Sequence, residues 1–297
     1  KDGAYTIFYM GINAGAFLGI LLCGYLGEKV GWHYGFGLAG IFMFFGMLQF
    51  YFAQGIFGSI GIKPPKKGNT SNSNENAVKV SSDANHKKIV RDRIFVIVIF
   101  SIATIFFWWA FEQAGGSMTI FANDYTNREL SGNSSVIFNT INTVITIVPM
   151  VVITYVLIKL FQNIFQSYFI SNFFLGLSFV IIWGIVIYML NAEIGQETSE
   201  IPASWFSVLN SLFIILLAPV FSKIWASKYN PSGPIKFGIG LILLGVGYLF
   251  VAYGSLGIPA GAQTASVSVM WLVYAYLFHT LGELCLSPVG LSYVSKL

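Results

Sequence analysis

Eight apolar stretches, each long enough to cross a bilayer, constrain this chain more than anything else in it. They lie at roughly 5–27, 34–57, 93–122, 135–160, 166–191, 203–226, 236–254 and 268–291. A helix needs about 20 apolar residues to span the hydrocarbon core, so the chain is predicted to be an all-α, polytopic membrane protein with eight transmembrane helices. The third stretch is long enough to extend beyond the bilayer on one side. Only 9% of the residues are charged, against about 25% in a soluble domain, which leaves too few for a water-facing surface. The net charge of +4 does not point to nucleic acid, because the basic residues cluster in loops. Cys23 and Cys285 both fall within predicted spans and are expected to be reduced, buried thiols. The chain starts at Lys1 and stops just after a span, and it is expected to be an internal piece of a longer protein.

Residues 58–92 differ from the rest. Runs such as Pro64-Pro65-Lys66-Lys67 and Asn69-Thr70-Ser71-Asn72 predict a solvated polar linker between the first two spans and the following six. It carries Lys63, Lys66, Lys67, Lys79, Lys87, Lys88, Arg91 and Arg93. The excess of Lys and Arg in cytoplasmic loops then orients the chain, with the linker and both chain ends inside. The opposite loops hold only Lys29 and Arg128 as basic residues, and the loop 191–204 carries Glu193, Glu197 and Glu200. Eight spans satisfy this pattern without adjustment. Gly11, Gly15 and Gly19 form a stripe of small residues, with a looser set at Gly238, Gly240, Gly245 and Gly247; both are expected to serve helix packing. Trp32, Trp205 and Trp225 fall near span ends, as in an interfacial aromatic belt.

Two carboxylates, Glu112 and Glu283, lie inside the spans. A charge at the bilayer centre costs roughly 2.5–3.5 kcal/mol on insertion scales, and such residues mark proton or substrate handling by default. Glu112 sits in Phe111-Glu112-Gln113-Ala114-Gly115, and no span of this chain supplies a Lys or Arg for it. It is therefore protonated, paired outside this chain, or turned to a water-filled cavity; the plain alternative is a protonated carboxyl bonded to a neighbouring helix. Glu283 shares one helical face with His279, four residues before it, and with Ser287, four after it. Pro288 removes a backbone hydrogen bond beside this face. A carboxylate there suits a substrate ammonium group or a proton. Metal binding is not expected, since two ligands on one helix are too few and no His or Cys cluster accompanies them. Asn13 and Asn210 also lie within spans, where an amide suits a peptide backbone or an interhelical hydrogen bond. The chain has no phosphate-cradling Gly-Lys-Ser/Thr loop, no nucleophile elbow and no His-Glu-x-x-His, so it is not expected to be an enzyme.

Four blocks resemble the proton-dependent oligopeptide transporters, the peptide branch of the major facilitator superfamily. They are Phe8–Phe17 (FYMGINAGAF), Phe111–Gly115 (FEQAG), Asn210–Pro219 (NSLFIILLAP) and His279–Ser292 (HTLGELCLSPVGLS). The resemblance implies a partial major facilitator fold. Residues 1–57 would be the last two helices of the N-terminal bundle, 58–92 a cytoplasmic linker, and 93–297 core helices seven to ten. Glu283 would meet the amino terminus of a peptide, with Ser287 on the same face. Glu112 and Glu283 would couple protons, and Asn13 and Asn210 would line the substrate pocket. The implied activity is symport of di- and tripeptides with protons in a bacterial inner membrane, with no cofactor beyond the proton. The alternatives are a non-peptide cargo, such as nitrate or an amino-acid conjugate, and a receptor or scaffold that does not transport. One departure stands out: two additional apolar spans, at about 135–191, follow the helix bearing Glu112, and they are expected to pack at the periphery of the C-terminal helices.

Overall fold

The computed structural model describes residues 2–58, 83–193, 196, 198–228 and 230–294, and the side chains of 11–58, 88–193, 196, 198–228 and 230–287. Most of the polar linker lies outside the described residues. The long helices are α1 (Asp2–Tyr25), α2 (Trp32–Ala53), α3 (Asp83–Phe111), α5 (Asn133–Ile164), α6 (Phe169–Glu193), α7 (Trp205–Ala226), α8 (Gly233–Gly254) and α9 (Met270–Val294). A four-residue helix, α4 (Ser117–Ile120), follows α3. Seven segments among the described residues are long and apolar enough to cross a membrane. The eighth helix, α9, has 25 residues, and His279, Thr280 and Glu283 dilute its apolar run. Its backbone stays helical through Pro288.

In lipid, helices gain little from hiding apolar area, so close backbone contact and polar bonds decide which helices pair. Helices α8 and α9 show this most clearly. A Cβ on Gly282 would lie 2.7 Å from the Gly240 carbonyl oxygen, and one on Gly240 would lie 2.9 Å from the Gly282 carbonyl oxygen. Gly247 makes room for the His279 imidazole, while nothing lies within 4 Å of Gly238 or Gly245. Only half of the looser glycine set therefore packs helices. The Gly11, Gly15 and Gly19 stripe, expected to pack a neighbour, meets nothing within 4 Å among the described residues. The close approach of α1 comes at its end instead, where Gly24 abuts Ser204.

The additional spans form a unit whose ends meet. Strand β1 (Glu129–Ser131) pairs antiparallel with β2 (Thr198–Glu200), so Ser131 sits opposite Thr198 and the two inserted helices leave from one short stem. Closing a loop at its base lets a long insertion join a fold without separating the flanking elements. The pair touches the C-terminal helices, with the Phe138 ring 6.3 Å from that of Trp205 on α7, but lies mainly against α1 and α2. Helix α6 lies along α2: Phe174 stacks on Phe52 with centroids 6.3 Å apart and meets Phe45 at 5.8 Å. The Ser171 hydroxyl donates to the Gln49 carbonyl at 3.1 Å. Further along, Met150, Val186, Met189 and Leu190 join Phe17, Leu21 and Leu22 of α1 in one buried cluster. Residues more than a hundred positions apart in sequence thus share a core.

Trp205 belongs to that cluster rather than to an interfacial belt. It is buried, and its indole N–H donates to the Leu21 carbonyl at 3.1 Å. Beside it, both oxygens of Glu28 accept backbone N–H groups, from Ala203 and Ser204, each at 2.9 Å. The turn that follows α1, Leu26–Val30, therefore caps the start of α7, where free N–H groups and the helix dipole favour a carboxylate. Glu200 bridges Lys29 at 3.1 Å and Arg128 at 3.0 Å at the same end. Partial burial raises the Glu200 pKa, but these two cations outweigh it and hold the carboxyl below its usual value.

Candidate functional site

Helices α7 and α9 bring two of the predicted site residues into direct contact. The Asn210 amide nitrogen donates to Glu283 Oε2 at 3.0 Å and to Thr280 Oγ1 at 3.0 Å. Thr280 in turn donates to the Tyr276 carbonyl at 2.7 Å, one turn back on its own helix. The threonine proton is therefore spent, so its oxygen must accept from Asn210. This fixes the amide orientation, with its NH2 toward Thr280 and Glu283 and its carbonyl oxygen turned elsewhere. Glu283 is 7% exposed, Thr280 is fully buried and Asn210 is half-buried. A carboxylate enclosed to this degree requires a hydrogen-bonded environment, and Asn210 is part of it.

The remaining predicted residues take different positions. Asn13 is buried on α1. Ser287 continues the Glu283 face, and its hydroxyl is buried without a hydrogen-bond partner among the described residues. Glu112 does not join this group. It is exposed, and among the described residues its carboxylate makes no hydrogen bond or ion pair. It also does not sit mid-helix. The α-helix ends at Phe111, and Glu112–Gly115 form a 3-10 turn before α4 resumes. Gly115, which ends the turn, and Gly116 after it are poor helix formers and weaken the helix at this point.

The interruption leaves carbonyl groups that need donors. Tyr248 of α8 donates to Ala110 O at 2.5 Å, and Tyr276 of α9 to Ala114 O at 3.4 Å. Thr119 also donates to Ala114 O, at 2.8 Å. The buried His279 ring lies between these tyrosines, with its centroid 4.6 Å from that of Tyr248 and 6.3 Å from that of Tyr276. Tyr248, Thr280 and Tyr276 were not singled out from the sequence. Tyr276, His279, Thr280, Glu283 and Ser287 recur at helical spacing on one face, and that was the available signal for two of them. Tyr248 gave none. Among the described residues no group of His, Cys, Asp and Glu could hold a metal ion. An open groove of about 890 Å³ on the inserted pair, lined by Asn139, Thr140 and Thr143, draws no residue from α7, α8 or α9.

Membrane-length helices enclosing a hydrogen-bonded carboxylate define a polytopic α-helical membrane protein with a polar site inside its bundle. The chain belongs to the POT family, whose sequence model matches residues 1–87 and 180–297. The block around Glu112 and most of the inserted pair fall outside the matched residues. The chain is 28% identical to the peptide transporter YePEPT of Yersinia enterocolitica, over all of this chain and 56% of that protein. It is 29% identical to a di-/tripeptide transporter of Lactococcus lactis subsp. cremoris, over all of this chain and 56% of that protein. A crystal structure of a peptide transporter POT in complex with sulfate matches 98% of this chain and 55% of that one, with 26% identity and a TM-score of 0.48. The chain spans about half the length of the curated relatives it matches. The all-α polytopic fold class and the family expected from the sequence are both found.

Proposed function

We propose that the whole protein imports di- and tripeptides by proton-coupled symport, through alternating access in a bacterial inner membrane. The observation that carries this reading is the buried Glu283 carboxylate bonded to Asn210 between two membrane helices. As a carboxylate, Glu283 attracts the ammonium terminus of a peptide; protonated, it loses that attraction. Asn210 is held by Thr280 and keeps its carbonyl oxygen for a peptide N–H. Asn13 and Ser287 complete the polar lining, Glu112 carries the coupling proton with Glu283, and no cofactor beyond the proton takes part. The cap that Glu28 places on α7 joins the two halves at one end of the bundle, and alternating access would open it.

The test uses the full-length protein in proteoliposomes, with a labelled dipeptide and an imposed inward proton gradient. Accumulation above equilibrium only with the gradient is the expected result. No accumulation by folded protein would refute peptide symport and turn the search to amino-acid conjugates. Glu283→Gln should weaken binding of peptides with a free amino terminus. An equal loss for amino-blocked peptides would refute the ammonium contact. Uptake unchanged in Glu112→Gln would remove Glu112 from the coupling.

A further inference from the structure

Glu112 stands at the one place where the helix bearing it is interrupted, and the groups closing the interruption come from α8 and α9. Tyr248 takes the carbonyl of Ala110 and Tyr276 that of Ala114, so the two hydroxyls bracket Glu112 from both sides in sequence. Both tyrosines are tied to the Glu283 site. Tyr276 accepts the Thr280 hydroxyl on its own carbonyl, and Thr280 accepts from Asn210, which also holds Glu283. Tyr248 packs its ring on His279, one turn before Glu283 on the same face of α9. A route of hydrogen bonds and ring contacts therefore joins the backbone on either side of Glu112 to the helix that carries Glu283. No side-chain contact between the two carboxylates is needed.

We infer that Tyr248 and Tyr276 are positioning residues that lock the interrupted backbone at Glu112 to the Glu283 helix, so that a change at one carboxylate moves the other. This rests on the proton-coupled reading above. A phenol suits the task because its ring packs in the apolar core while its hydroxyl reaches a carbonyl that the broken helix cannot satisfy. Phenylalanine keeps the packing and loses only the bond. Without it the interrupted segment is held by Thr119 and by its own turn, and the position of Glu112 loosens.

The test compares Tyr248→Phe and Tyr276→Phe with Glu112→Gln, singly and combined, in the full-length protein. Gradient-driven dipeptide uptake should fall about five-fold in Tyr248→Phe, as expected for one lost hydrogen bond near 1 kcal/mol. The fall should be smaller in Tyr276→Phe, whose bond is longer. In the Glu112→Gln background, where coupled uptake is already lost, dipeptide binding is read instead, and the tyrosine substitutions should weaken it no further, because their effect passes through Glu112. Full additivity of the losses would overturn the inference, since a merely structural role is additive. Hydrogen exchange of the backbone at 110–120 should also quicken in Tyr248→Phe, and unchanged exchange would overturn the lock itself. Should the wild type show no gradient-driven uptake, the functional reading fails separately, and the exchange measurement alone then decides whether the lock exists.

Discussion

Replacing Gly282 by alanine tests the packing and the site together. Its Cβ would stand 2.7 Å from the Gly240 carbonyl oxygen and 3.3 Å from the Leu244 nitrogen, both backbone atoms that cannot rotate away. Ordinary contact begins at 3.4 Å, so α8 and α9 must separate by about 0.7 Å to admit one methyl group. Overpacking of this kind costs about 1–3 kcal/mol. Gly245→Ala on α8 is the matched control, because nothing lies within 4 Å of that position. There alanine meets no clash and gains up to about 1 kcal/mol of helix propensity. Between the two variants of the full-length protein, the thermal midpoint should differ by about 2–4 °C, with Gly282→Ala lower. A thiol-reactive dye in detergent reads this directly, since Cys285 is buried one turn from the clash and reports when α9 comes loose. Gly282 also precedes Glu283, so the shift should weaken dipeptide binding in the same variant. Equal midpoints for the two variants, or a lowered midpoint with unchanged binding, would refute the argument that this crossing sets the position of Glu283.

At the end of the bundle where α1 meets α7, Glu28→Gln should lower the midpoint, because a neutral amide replaces the charge that accepts two N–H groups at the start of α7; the loss should be about 1 kcal/mol, measured by the same dye assay. Glu200 has its pKa lowered by Lys29 and Arg128, so its contribution is complete above the ordinary carboxylate pKa and lost as pH falls through the lowered value. Since its side chain is 46% exposed, the contribution is under about 1 kcal/mol. Wild type should therefore exceed Glu200→Gln slightly at pH 7, with the two midpoints converging as pH falls below the ordinary carboxylate range. Trp205→Phe should remove the indole bond to the Leu21 carbonyl and part of the ring packing in the core, and destabilise by about 1 kcal/mol, whereas Trp32→Phe, at an exposed position, should change stability by less than about 0.5 kcal/mol.

What could be read in the sequence divides along a physical line. Helix existence follows from apolar run length, which is a local property, so eight long helices emerge, seven with ends shifted by a few residues; the third starts at Asp83, ten residues inside the stretch expected to be linker, and breaks after Phe111. Glu283 and Asn210 were legible for the same reason: a polar group in an apolar run has a cost that shows wherever its partner lies. Partnership itself is not local. The stripe at Gly11, Gly15 and Gly19 has the same small-residue spacing as any packing face, yet Gly24, outside it, is the glycine that touches α7. Trp205 sits near a helix start, as an interfacial residue would, and only the position of the Leu21 carbonyl makes it a core residue. The inserted helices show the limit most plainly. Their sequence neighbours are α4 and α7, and loop length alone predicts packing there. The stem β1–β2 removes that constraint, because it anchors both ends at one point and leaves the pair free to seek the best surface. That surface is α2, where Phe45 and Phe52 receive Phe174 and the Gln49 carbonyl receives the Ser171 hydroxyl.

The break at Glu112 follows the same logic from the other direction. Gly115–Gly116 weakens a helix but does not require it to stop, since tertiary context routinely overrides propensity. The turn forms because Tyr248 and Tyr276 supply the donors that make it tolerable in an apolar environment. Each unpaired carbonyl buried away from water would cost about 1–3 kcal/mol, comparable to the roughly 2 kcal/mol that two glycines gain by leaving a helix, so without the two donors the break has no net advantage. An interruption whose stability depends on two hydroxyls from other helices cannot be inferred from its own residues. It is also easily lost: removing both hydroxyls should let residues 112–120 return to continuous α-helix. The side chain of Glu112 would then rotate about the helix axis relative to α8 and α9. Retained 3-10 geometry in a structure of the doubly substituted full-length protein would show that the glycines alone make the break.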